Sequence, residues 1–84
     1  MEFFQERLRQ CREDVNKTQA EIAEEVGFSY RTYCRYERGG ADPTLTALIK
    51  LARYFHVSVD YLAGLTDDPT PPQSGSGREE GGVS

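Results

Sequence analysis

Phe4, Leu8, Cys11 and Val15 recur at i, i+4, i+7 and i+11, so the first apolar stripe has helical spacing on one face. It ends at Val15-Asn16-Lys17-Thr18, where Asn16 tolerates a left-handed backbone and Thr18 can cap the next helix. Thr18-Gln19-Ala20-Glu21 fits a capping box, in which Thr and Glu side chains satisfy each other's orphan backbone donors. Ile22, Ala23 and Val26 then face inward on a second helix, and Gly27 stops it by accepting positive φ. After the short turn Gly27-Phe28-Ser29, Ser29 caps a third helix that runs to Gly39 and Gly40. Thr44 caps a fourth, "LTALIKLARYF", with Leu45, Leu48, Ile49, Ala52 and Phe55 as its expected inner face. His56 ends that helix as a residue tolerant of positive φ. Ser58 caps a short fifth helix, with Val59 and Leu62 inward and Gly64 as its stop. The pattern predicts an all-α fold of five short helices joined by tight turns.

Beyond Leu65 the periodicity disappears. "TDDPTPPQSGSGREEGGVS" is built from Pro, Gly, Ser, Thr and charge, and cannot bury enough surface to offset the entropy of ordering. The 84-residue chain is therefore expected to hold one domain, residues 1–65, and a disordered acidic tail, residues 66–84. The formal charge of −4 divides unevenly between them. Nine basic and ten acidic residues lie in the domain, against Arg78 and four acids in the tail. Overall acidity thus says little about any local basic patch.

Candidate chemistry is sparse. Two cysteines, Cys11 and Cys34, are too few for a disulfide framework, and His56 cannot complete a zinc site with them at a usual spacing. Neither Ser29 nor Cys34 has a histidine base near it in the pattern, so no enzymatic activity and no cofactor are expected. No apolar run approaches the ~20 residues of a membrane helix, and "MEFFQER" lacks the signature of a signal peptide. A cytoplasmic protein with unpaired thiols is the expectation.

The third helix changes the picture. On a wheel starting at Tyr30, Arg38, Arg31 and Arg35 fall within an arc of about 60°, with Tyr33, Tyr36 and Glu37 largely opposite. A solvated charged face is one meaning of such an arc. The other is a helix-turn-helix: a short helix, a tight turn, then a helix whose basic outer face enters the DNA major groove, ~12 Å wide. Arginine's planar fork matches guanine O6 and N7 together. The turn and the caps favour this second meaning.

"TQAEIAEEVGFSYRTYCRYERG" resembles the signature of Cro and lambda-repressor-like (XRE-type) helix-turn-helix domains. "DPTLTALIKLARYFHVSVDYLAGLTDD" is similar to the last two helices of the same five-helix family, so the likeness runs from about Phe4 to Asp68. The resemblance implies that Gln19 grips a phosphate and supports a base-reading side chain. It implies that Tyr30, Arg31 and Arg35 read bases, with Ser29 also facing the groove and Thr32 near the backbone. Arg38 and the amides of Gly39 and Gly40 would lie beside a phosphate, and Thr18 would help position the helix. Arg12 and Glu37 match an ion pair between the first and third helices. Where relatives often carry glycine and an apolar residue, this chain has Asn16 and Lys17, and Lys17 is expected to reach a phosphate. The loop "GGADP" has no basic residue, so phosphate anchoring should be weak and salt-sensitive, with dimerisation supplying avidity.

The expected function is a bacterial or phage-type, nucleoid-associated transcriptional regulator, with repression as its expected direction. It would bind double-stranded DNA as a homodimer through Phe55, Tyr61, Leu62 and Leu65, with the tail open to a protein partner. An antitoxin or other protein-interaction module using the same fold is the alternative.

Overall fold

A computed structural model describes residues 3–71; residues 72–84 of the expected tail lie outside the described residues. Five helices succeed one another: α1 Phe4–Asp14, α2 Gln19–Val26, α3 Tyr30–Arg38, α4 Leu45–Phe55 and α5 Val59–Ala63. No strand occurs among the described residues.

Four of the five helices begin in the same way. A hydroxyl at the N-cap accepts from the backbone N–H three residues on: Thr18 from Glu21, Ser29 from Thr32 and Thr44 from Ala47, each at 3.1 Å, and Ser58 from Tyr61 at 2.9 Å. At α2 the box closes, since the Thr18 amide also donates to Glu21 Oε1 at 2.8 Å. Each such cap contributes about 1 kcal/mol. Left-handed residues close the C-terminal ends, with Gly27 at φ 98° and His56 at φ 58°. His56 holds a conformation that a β-branched residue would resist. α1 differs: Phe3 precedes it at φ 71° and offers no side-chain cap.

The core draws on every helix: Phe4 and Leu8, Ile22 and Ala23, Tyr33 and Tyr36, Ala47, Leu48, Leu51 and Ala52, and Leu62. Phe28, in the α2–α3 turn, meets the Tyr36 ring edge-on at 5.8 Å, and Phe4 meets the same ring at 6.0 Å. Tyr36 thereby ties α3 to both α1 and the turn, which fixes the angle at which α3 leaves α2.

Two expected inner positions lie elsewhere. Leu45 is 68% exposed, whereas Leu51 is fully enclosed. Leu45 is the first residue of α4 and has no preceding turn to pack beside, so the buried stripe centres on Leu48, Leu51 and Ala52. Val15 is 43% exposed, because α1 stops at Asp14 and the chain has left helical geometry by then.

The described chain continues past Leu65 in an ordered strap. Arg7 Nη1 donates to the carbonyls of Tyr61 and Thr66, both at 2.6 Å, and Nη2 pairs with Asp67 at 2.8 Å. The same guanidinium lies over the Phe3 and Tyr61 rings, at 5.2 and 4.3 Å. Farther on, the Ser58 amide donates to Pro69 O at 3.1 Å. One arginine on α1 thus sets the direction in which the chain leaves the domain.

Candidate nucleic-acid interface

The interface is built outward from a buried carboxylate. Glu37, only 4% exposed, accepts from Arg12 Nε at 2.7 Å and Arg12 Nη2 at 3.2 Å. It also accepts from Tyr33 Oη at 2.6 Å and Gln19 Nε2 at 3.1 Å. Burial by itself would raise the Glu37 pKa, but the bonds from Arg12, Tyr33 and Gln19, with the Arg12 charge, outweigh it and hold the carboxyl below its usual range. Burial first, and then the bond to Glu37, pushes the Tyr33 phenol well up, so it stays protonated and donates. A buried charge satisfied on this scale fixes geometry more than it adds stability. Here it locks α1, α2 and α3 together directly beneath the outer face of α3.

That outer face carries the cations. Arg31, Arg35 and Arg38 are all exposed, while Tyr33, Tyr36 and Glu37 on the same helix are buried. An open cleft lies between α2 and α3, lined by Gln19, Tyr30, Arg31, Cys34 and Arg38. Tyr30, at 58% exposure, stands at the N-terminal end of α3.

The other expected contact residues are more constrained. Gln19 borders the cleft, but its amide is turned toward Glu37, and its oxygen accepts from Cys34 Sγ at 3.5 Å. Thr18 and Ser29 are exposed, and both hydroxyls are engaged as helix caps. The Ser29 hydroxyl donates in turn to Thr32 Oγ1 at 2.8 Å. Lys17 pairs with Glu25 at 2.8 Å, and Glu25 also accepts from the Tyr54 hydroxyl of α4. A phosphate would have to displace that carboxylate to hold Lys17. The expected amide donors also need correction. Gly40 N already donates to Arg35 O at 2.9 Å and Gly39 N faces Tyr36 O at 3.4 Å, because both amides close the end of α3.

Of the expected dimer surface, Leu65 is 78% exposed, and Phe55 and Tyr61 are half-buried. Leu62 has no exposed surface and belongs to the core instead, since α5 turns it inward against α4.

Sequence reasoning passed over one member of the cleft. Cys34 is 8% exposed and sits between Tyr30 and Arg38 on α3. Its i+4 relation to Tyr30 was the available signal. Cys11 has its thiol pushed up to about 11, by burial first and then by Asp14, which disfavours its thiolate near neutral pH. Among the described residues, no group of three or more His, Cys, Asp or Glu is placed to hold a metal ion. No described helix is long and apolar enough to cross a membrane.

Comparison with known proteins agrees with this architecture. The helix-turn-helix family profile matches residues 8–62. The chain is 46% identical over 69 residues to the HTH-type transcriptional regulator YobD of Bacillus subtilis, covering 82% of this chain and 62% of that protein. It is 43% identical over 61 residues to the cryptic phage CTXphi transcriptional repressor RstR of Vibrio cholerae, covering 73% of this chain and 54% of that one. The chain thus spans little more than half the length of these curated relatives. In structure it resembles the SOS-response transcriptional repressor LexA from Eubacterium rectale, with a TM-score of 0.68, 31% identity and coverage of 95% of this chain and 88% of that one. With a matched profile from α1 into α5, a capped α2–α3 turn and an arginine face on α3, the chain belongs to the XRE-type helix-turn-helix family.

Proposed function

We propose that this protein is a sequence-specific, double-stranded-DNA-binding transcriptional regulator that acts as a repressor. The observation that carries the proposal is the division of α3. Tyr33, Tyr36 and Glu37 seat it in the domain, while Arg31, Arg35 and Arg38 project together on the side away from the core. A single α-helix fills the major groove, and such a helix presents several cations to it without burying any. The names of the regulators it resembles support the same reading.

Arg31 and Arg35 read base edges, with Tyr30 beside them. Arg38 sits against a phosphate, with Thr18, Ser29 and Thr32 positioning α3 through the turn. Gln19 contributes from the cleft wall, by the one amide hydrogen that Glu37 leaves free. With Lys17 held by Glu25, and no basic side chain in Gly39–Pro43, phosphate contacts are few. Binding as a homodimer to two half-sites about 34–36 Å apart compensates by avidity. Leu65, Phe55 and Tyr61 form the surface we assign to that contact, and the protein works in the cytoplasm.

The test is fluorescence anisotropy on promoter DNA from upstream of the protein's own gene, at several salt concentrations. Arg31→Ala and Arg35→Ala are each expected to weaken binding and relax selectivity at one base position. Wild-type affinity and selectivity in both variants would reject the groove assignment.

A further inference from the structure

We propose that Glu25, braced by Tyr54, withholds Lys17 from DNA phosphate, so that each protomer meets DNA with one backbone contact fewer than its sequence offers. The proposal rests on the DNA-binding reading above and assigns one part of how its affinity is limited.

Lys17 stands at the edge of the proposed interface. It directly precedes Thr18, the N-cap of α2, and Gln19, which lines the cleft. Its backbone has little freedom, because Arg12 Nη1 donates to the Lys17 carbonyl at 3.0 Å and the same guanidinium is paired with buried Glu37. Only the side chain is left to point either to the DNA side or along the domain. It runs toward the far end of α2, where Nζ meets Glu25 Oε2 at 2.8 Å.

An ion pair with both side chains this open to solvent is usually loose, since water and salt compete for each charge. Here the carboxylate is held from its other side as well. The Tyr54 hydroxyl of α4 donates to Glu25 Oε1, so each carboxylate oxygen has its own donor. Tyr54 is fixed in turn by packing, with its ring edge-on to Phe55 at 4.9 Å and against the core. The carboxylate therefore sits where α4 puts it, and the lysine is drawn to it. A phosphate approaching α2 competes with an anion already in place.

Phosphate contacts hold every sequence alike. Withholding Lys17 lowers the grip of one protomer on any DNA and leaves occupancy to depend on two protomers binding together. Base reading is untouched, because Lys17 and Glu25 both lie outside α3.

The experiment measures fluorescence anisotropy on two duplexes, a site selected from a randomised library and a random sequence, between about 50 and 200 mM salt. Glu25→Gln, Lys17→Ala, Tyr54→Phe and the double variant Glu25→Gln/Lys17→Ala are compared with wild type. Thermal unfolding of each variant confirms that it stays folded. Glu24→Gln, at an exposed acid on the same helix, gives the effect of losing one negative charge alone. Glu25→Gln should bind both duplexes about three- to ten-fold more tightly at about 0.1 M salt. It should also steepen log K against log salt by about 0.9, the mark of one gained phosphate contact. Glu24→Gln should gain less, and Tyr54→Phe, which keeps the ring, should gain in the same direction as Glu25→Gln. Lys17→Ala should change wild-type binding by less than about two-fold, and in the double variant it should cancel the gain. A loss on Lys17→Ala as large in wild type as in Glu25→Gln overturns the proposal, because the lysine then already holds DNA. So does a Glu25→Gln gain no larger than that of Glu24→Gln, or one that persists without Lys17. A wild-type protein that binds neither duplex is a separate outcome, which rejects the DNA-binding reading and the proposal with it.

Discussion

Glu37→Gln tests the ion-pair core beneath the interface most directly, since it removes one charge and keeps the shape. Glu37 accepts four hydrogen bonds, two of them from Arg12, and is 4% exposed. Removing one partner of a buried pair costs about 3–5 kcal/mol. Arg12 is less enclosed, with 18% of its side chain exposed, and can regain some hydration once unpaired. The low end, about 3 kcal/mol, is therefore expected. A domain of this size has about 3–10 kcal/mol in total, so the variant sits near its unfolding midpoint or well below wild-type stability. In urea unfolding monitored by circular dichroism, the midpoint should fall sharply with an unchanged slope. In a thermal scan about 10–25 °C should be lost. The pH dependence supplies a second arm. Folding lowers the Glu37 pKa from its ordinary value of 4.5, so the stability it contributes is present above pH 4.5 and is lost as pH falls through the lower folded value. The difference between wild type and Glu37→Gln should therefore narrow in acid. A loss under about 1 kcal/mol at neutral pH, or a difference that does not change with acid, would refute the reasoning.

Arg31→Ala and Arg35→Ala should each reduce discrimination at one base pair by about 1–3 kcal/mol, read by anisotropy on single-base variants of the bound site. Arg38→Ala should instead weaken all sequences alike and flatten the dependence of log K on log salt by about 0.9, the signature of one lost phosphate contact. Arg7→Ala removes two bonds to the strap and one to the Tyr61 carbonyl of α5, and should raise hydrogen exchange across Thr66–Thr70, with α2 and α3 unchanged. His56→Val should cost about 1–2 kcal/mol in urea unfolding, whereas His56→Gly should be close to neutral, because the position lies at φ 58°.

The chain spells out its five helices by local means. Thr18, Ser29, Thr44 and Ser58 each bond to an amide three residues away, and Asn16, Gly27 and His56 adopt the left-handed backbone within their own turns. Such contacts depend on neighbours in sequence alone, so residue type and spacing determine them. The outward arginines of α3 are legible for the same reason, because 3.6-residue periodicity puts them opposite two tyrosines and a glutamate. Other features came only with tertiary packing. Leu45 and Leu51 are both apolar residues of α4, and the packed helices enclose the second while the first stays exposed at the helix start. The Arg7 contacts with Thr66 and Asp67 join residues about sixty positions apart, and no local pattern announces them. Gln19 is likewise a surface-type residue until folding brings Glu37 and Cys34 to either side of its amide. The sequence by itself determined which helix carries the cations. Packing decided which way the hydrogen bonds beneath it run, because their direction starts from a charge that exists only once Glu37 is buried against Arg12.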